Sequence, residues 1–80
     1  MASKHQTKLI KEYTKKGYLV LNLIKTNKPG IPDLLCLKKG EDPLFIESKE
    51  KTDTLKPLQR YMIKRLNDLG FTAFESRAAK

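Results

Sequence analysis

The sequence predicts a small α/β domain with elements in the order α-β-β-β-α-β, a mixed sheet flanked by helices. Three observations carry this reading. One segment near each end repeats apolar residues at helical spacing. Three short apolar runs lie between those segments and a fourth follows the second, all bounded by polar turns rich in Gly and Pro. The chain has 80 residues, room for a single domain over 1–80 with a thin core.

The first helix is expected over residues 3–16, with Ser3 as its N-cap and Gly17 as its stop. With Gln6 as origin and steps of about 100°, Leu9, Ile10 and Tyr13 fall within about 60° on either side. Gln6 is therefore a polar residue at the centre of an apolar face. Glu12 falls about 120° away, and Lys4, Lys8, Lys11, Lys15 and Lys16 populate the rest. Residues 18–25 read as a strand with apolar residues on both faces, and 26–30 as a turn or loop. Pro32 opens the second strand, which continues from Asp33 to Leu37. The polar turn over 38–43 makes a hairpin of this strand and the third, Leu44 to Lys49.

A charged loop over 50–54 leads to a second helix from Lys56 to Leu69, with Pro57 in its first turn and Gly70 at its end. Its apolar arc holds Leu55, Leu58, Tyr61, Met62, Leu66 and Leu69, with Gln59 and Arg65 inside the margin. Phe71 to Glu75 forms the last strand, and Ser76–Lys80 is expected to fray. Tyr18, Tyr61 and the three phenylalanines are assigned to the core, as is Tyr13 in the helix stripe. Cys36 is read as a buried, inert thiol, His5 as a solvated residue and Arg65 as a side chain snorkelling across the core edge.

A net charge of +8 and a pI near 9.8 point to a polyanionic partner, either nucleic acid or an anionic membrane surface. The longest apolar stretch, Leu19–Leu21 resumed after Asn22 at Leu23–Ile24, is far short of the roughly 20 residues that span a bilayer. No apolar segment follows Lys4 and Lys8 in the manner of a signal peptide, so an intracellular chain is expected. One cysteine and one histidine build neither an internal disulfide nor a Cys/His zinc site. Catalysis by histidine has little support for the same reason.

The informative segments are Gly30–Ile31–Pro32–Asp33 and Phe45–Ile46–Glu47–Ser48–Lys49. Alternation along a strand turns Glu47 and Lys49 the same way, roughly 7 Å apart along the chain. The hairpin can bring Asp33, at the start of one strand, beside Glu47, at the end of the other. Two carboxylates and an ammonium would then converge at one end of the sheet. Magnesium takes one or two carboxylates plus waters and phosphate oxygens, and relieves the repulsion between the pair. An adjacent lysine can orient or deprotonate a water and balance charge in a transition state.

Pro-Asp, a hairpin and Glu-x-Lys together resemble the PD-(D/E)xK nuclease superfamily. The fuller pattern Gly-x-Pro-Asp-Leu, Phe-Ile-Glu-x-Lys, Leu-x-Pro-Leu-Gln and Leu-Gly-Phe is similar to its VRR-NUC branch, the virus-type replication-repair nucleases, over about residues 3–75. The resemblance implies a restriction-endonuclease-like core and Mg²⁺-dependent endonucleolytic cleavage of DNA, with branched substrates such as Holliday junctions or flaps among the candidates. It implies metal ligation by Asp33, Glu47 and the Ser48 carbonyl, with Lys49 acting on the water and Gln59 lining the site from the helix. Mn²⁺ is expected to substitute, and no nucleotide cofactor is called for. Relatives carry a glutamate in the first helix where this chain has Gln6, a departure that removes a charge from that position. A homodimer is expected, in the cytoplasm, or the host's cytoplasm if the chain is viral.

Gln6 and Gln59 support this independently, because an unpaired amide on a buried helix face costs about 1–3 kcal/mol and needs a hydrogen-bonded site. Lys51, Lys56 and Arg60 follow the motif and are candidate contacts to a nucleic-acid backbone; a solvated charge run is the rival reading. The alternative function is a catalytically weak or inactive nucleic-acid-binding module of the same fold. A remoter one is a basic adaptor for an acidic protein.

Overall fold

A computed structural model describes residues 3–79 and contains six elements in the expected order. They are α1 (Lys4–Lys15), β1 (Leu19–Asn22), β2 (Leu34–Leu37), β3 (Leu44–Lys49), α2 (Pro57–Asp68) and β4 (Thr72–Arg77). The strands lie side by side in the order β1-β2-β3-β4. The first two pairings are antiparallel and the third is parallel, so the sheet is mixed. A parallel pair needs a crossover, and α2 supplies it.

Register assigns the faces. Leu34 pairs with Ile46 and Cys36 with Leu44, and these even-numbered positions pack against α1 through Leu9, Ile10 and Tyr13. Leu9, Leu34, Cys36 and Ile46 are the buried apolar cluster. The odd-numbered positions of β3 face α2: the Phe45 ring meets Phe71 edge to face at 6.2 Å, and Gln59 of α2 reaches Glu47. Because α2 packs over β4, the same face of β1 is left uncovered. Leu19 and Leu21, in register with Leu37 and Leu35, stand in solvent.

Several expectations are corrected by this arrangement. The first strand ends at Asn22 instead of running to Lys25, and Ile24 is 86% exposed in the loop beyond it. The apolar arc of α2 has no fully buried residue; Leu58, Tyr61 and Leu69 are exposed, as is Phe71, so Tyr61 and Phe71 are not core. Periodicity gave the helix its apolar face, but a narrow sheet offers that face only part of a floor. Arg65 donates to the Tyr61 hydroxyl at 3.3 Å on this exposed side.

The expected fraying fails from Ser76 to Arg77, which belong to β4 beside β3; Lys80 lies outside the described residues. His5 is not merely solvated. Its backbone N–H donates to Glu50 Oε2 at 3.2 Å and its Nε2 lies 3.0 Å from Ser76 Oγ. Ser3 does cap α1, accepting from the Gln6 N–H at 3.1 Å. Among the described residues no helix is long and apolar enough to cross a membrane.

A candidate active site at the end of the sheet

Asp33 directly precedes β2, and extending the β2–β3 register by one residue sets it opposite Glu47. The chain is brought there by Gly30 and Pro32. Gly30 has φ +82°, and a Cβ on it would lie 2.7 Å from the Leu58 carbonyl oxygen in the first turn of α2. Only glycine lets the loop pass so close in that conformation. Pro32 is fully buried behind it. Asp33 Oδ2 then accepts the backbone N–H of Ser48 at 3.0 Å, tying the start of β2 to the end of β3.

Glu47, Ser48 and Lys49 are all buried in a strand with neighbours on both edges and helices on both faces. Glu47 is only 2% exposed. Lys49 Nζ lies 3.7 Å from Glu47 Oε2, folded back along the strand that separates them. The same oxygen accepts the Gln59 side-chain N–H at 3.2 Å. Gln59 has a second duty. Its carbonyl oxygen accepts the Lys56 N–H at 3.0 Å, which caps α2 where Lys56 itself has no acceptor to offer. The helix start is therefore locked to the carboxylate.

The other carboxylate oxygen, Glu47 Oε1, is buried and has no hydrogen-bond partner among the described residues. Loss of water pushes the Glu47 pKa up to about 7, and the nearby Asp33 carboxylate pushes it the same way. Lys49 opposes both and does not win. A buried acid facing a second acid, with one oxygen unsatisfied, is a site short of positive charge. Among the described residues no three His, Cys, Asp or Glu side chains cluster as a metal-binding group. The carboxylate donors are thus Asp33 and Glu47, the number magnesium accepts while keeping waters and phosphate oxygens. The residues present fit that ion.

The VRR-NUC domain family matches residues 3–80. This chain belongs to that family. A solved VRR-NUC domain superposes on it with a TM-score of 0.71 and 25% identity, covering 98% of this chain and 87% of the other. The Holliday junction resolvase Hjc of Archaeoglobus fulgidus has a TM-score of 0.67 at 20% identity, over 90% of this chain and 65% of its own, a likeness of fold. No curated protein matches the sequence significantly.

Within this VRR-NUC fold, Asp33, Glu47, Ser48, Lys49 and Gln59 come together at one sheet end. Gln6 stands on the α1 side, half-buried, and its Nε2 donates to Asn22 Oδ1 at 3.0 Å. Asn22 pairs with Leu34, so Gln6 is held one strand away from the carboxylates rather than bonded to them. Lys51, Lys56 and Arg60 are exposed on the loop and first turn beyond the site, where Arg60 Nη2 donates to the Leu55 carbonyl at 3.5 Å.

Arg77 is the residue that sequence reasoning missed. Its Nη1 donates to the carbonyls of Glu50 at 3.0 Å, Lys51 at 3.5 Å and Asp53, and its Nη2 pairs with Glu75 at 2.7 Å. It gathers the loop that leaves Lys49, its register partner. Only the Glu-x-Arg alternation hinted that β4 runs past Glu75.

Proposed function

We propose that this domain is a magnesium-dependent DNA endonuclease of the PD-(D/E)xK type, with Mn²⁺ able to substitute and branched DNA such as junctions or flaps as its preferred substrate. The observation that carries the reading is the buried Glu47 carboxylate beside Asp33, whose Oε1 has no hydrogen-bond partner among the described residues while Lys49 and Gln59 lie on Oε2. The Hjc likeness, named for a Holliday junction resolvase, is the motive for branched DNA.

Asp33 and Glu47 would hold the ion through their carboxylates, with the Ser48 carbonyl as a further ligand. When bound, magnesium would polarise the scissile phosphate and lower the pKa of a coordinated water. Gln59 fixes one Glu47 oxygen and leaves the other free. Lys49, shielded from bulk water, orients the attacking water and offsets charge building on the phosphoryl oxygens. Attack opposite the 3′ oxygen breaks the P–O3′ bond and leaves a 5′-phosphate and a 3′-hydroxyl. Lys51, Lys56 and Arg60, exposed beside the site, would hold the flanking backbone.

The test is incubation with flap, four-way junction, single-stranded and plain duplex DNA, with Mg²⁺, Mn²⁺, Ca²⁺ or no divalent ion. A Lys49→Ala preparation controls for contamination. Cleavage in Mg²⁺ and Mn²⁺ that vanishes in the variant is expected; equal cleavage by the variant ends the proposal. Salt-sensitive binding with no cleavage in either ion would favour the second reading, an inactive binding module. That reading draws on Gln6, uncharged and spent on Asn22.

A homodimer also suits this reading. Leu19, Leu21, Leu58 and Tyr61 leave an apolar surface on the α2 side that a second copy would cover. Sedimentation at micromolar concentration gives the mass directly.

A further inference from the structure

α1 carries a feature that the catalytic reading does not use. Lys4, Lys8, Lys11 and Lys15 are spaced four, three and four residues apart, which puts them within about 60° of one another on the helix. All four are exposed. They project opposite Leu9, Ile10 and Tyr13, which face the sheet. Among the described residues, the ion pair formed by α1 joins Lys16 to Glu12, off this line.

The arrangement works against the helix. Neighbouring lysines at this spacing repel one another. The first turn, where the helix dipole favours acids, has none. A row of like charges that weakens its own helix fits a partner that supplies the missing anions in a row.

We infer that Lys4, Lys8, Lys11 and Lys15 form a rail for a nucleic-acid backbone, one that seats a second arm of the branched substrate on the face opposite α2. This rests on the reading of DNA as the substrate. The rail runs about 16 Å, a length over which one strand of B-form DNA presents four or five phosphates at about 3.4 Å each. It starts at the same sheet end as the carboxylates, because His5 is bonded to Glu50, the residue after Lys49, and to Ser76 of β4. From there α1 leads away on one face of the sheet, while Gln59, Lys56 and Arg60 lie with α2 on the other. A straight duplex lying along α2 leaves the rail behind, whereas a second arm diverging at the sheet end meets it. An anionic membrane is the poorer partner. A surface-lying helix inserts apolar residues beside its basic ones, and those of α1 are turned into the core.

The experiment compares wild type with Lys8→Gln/Lys11→Gln/Lys15→Gln, glutamine being a comparable helix former. Binding to a four-way junction and to a linear duplex is measured by fluorescence anisotropy in Ca²⁺ over a range of KCl. On the junction the slope of log K against log[KCl] should shrink by about 2 to 3, and by less than about 1 on the duplex. Thermal melting should be no lower than in wild type. If the triple variant does not fold, Lys11→Gln alone should shrink the junction slope by about 0.9. An unchanged junction slope overturns the rail, and so does an equal loss on both DNAs. Binding of wild type, but not the variant, to phosphatidylserine vesicles alongside an unchanged DNA slope also overturns it, in favour of a membrane. Cleavage of the same junction in Mg²⁺ keeps the two proposals apart. A wild type that cleaves with an unmoved slope in the variant sinks the rail alone. A slope that falls without any cleavage by wild type sinks the catalytic reading alone.

Discussion

The two faces of the sheet are built to opposite rules. On the α1 side, Leu9, Leu34, Cys36 and Ile46 are sealed from water and touch one another. On the α2 side, Glu47 and Lys49 are among the most buried side chains, while Leu19, Leu58 and Tyr61 stand in solvent. The first face obeys the usual partition of apolar and polar groups, and the second inverts it. An inversion of this kind costs stability and is expected where a site is functional. The α1 side holds the fold together, and the α2 side spends some of that stability on a charged pocket.

Four changes test this division. The largest effect is expected from Lys49→Ala, which should lower cleavage by at least about a thousandfold, since it removes the amine proposed to orient water and offset charge. Its urea midpoint should move little, because a buried Glu47 left without the amine takes up a proton and does not stand as an unpaired charge. Collapse of the fold in this variant would erase the distinction between the faces.

Ile46→Ala, one residue from Glu47 but on the other face, should do the reverse. Loss of a fully buried aliphatic side chain costs about 2–5 kcal/mol, read from urea or thermal unfolding. In a domain of this size that consumes much of the total stability.

The third test is pH. Glu47 is raised to about 7 in the folded state against 4.5 when unperturbed. The folded protein therefore holds the proton more tightly than the unfolded chain. Its contribution to stability is complete below about pH 4.5 and is lost as pH rises through about 7. In metal-free protein the loss is on the order of 3 kcal/mol. Glu47→Gln should lack this pH dependence, so the stability difference between variant and wild type should carry it. Mg²⁺ should flatten it in wild type, because a bound cation stabilises the ionised acid. A flat difference curve without metal would contradict the burial assigned to Glu47.

The smallest effect, about 1–3 kcal/mol, is expected for Gly30→Ala. A methyl there meets the Leu58 backbone at a positive φ. The Leu58 carbonyl belongs to the same helical turn that presents Gln59, so cleavage should fall together with stability. A Gly30→Ala protein as stable and active as wild type would show that the loop and α2 are not coupled.

Much of the fold was legible in the sequence because periodicity is local. The bounds of β3 agree residue for residue, and both helices agree to within a residue or two at each end. The pairing of β2 with β3 followed from a short polar turn between two apolar runs. Glu47 and Lys49 could be placed on one face because alternation needs nothing beyond the strand itself. The misreadings share a different cause. Leu21 to Lys25 look alike as a strand, yet only residues up to Asn22 have β2 to pair with. Tyr61 and Phe71 look like core, but α2 covers only part of a narrow sheet. Ser76 and Arg77 look like a tail, but β3 extends to Lys49 and gives them a parallel partner.

The sequence by itself determined the order of elements, the helix caps and the residue types gathered near the ends of β2 and β3, since each depends on neighbours a few positions away. Tertiary structure alone decided which oxygen of Glu47 goes without a partner, that Gln59 joins the α2 cap to that carboxylate, and that Arg77 gathers the loop after Lys49. Those facts depend on groups separated by a hairpin, a charged loop or a crossover helix. Their energies come from exclusion of water, and only the packed molecule excludes it.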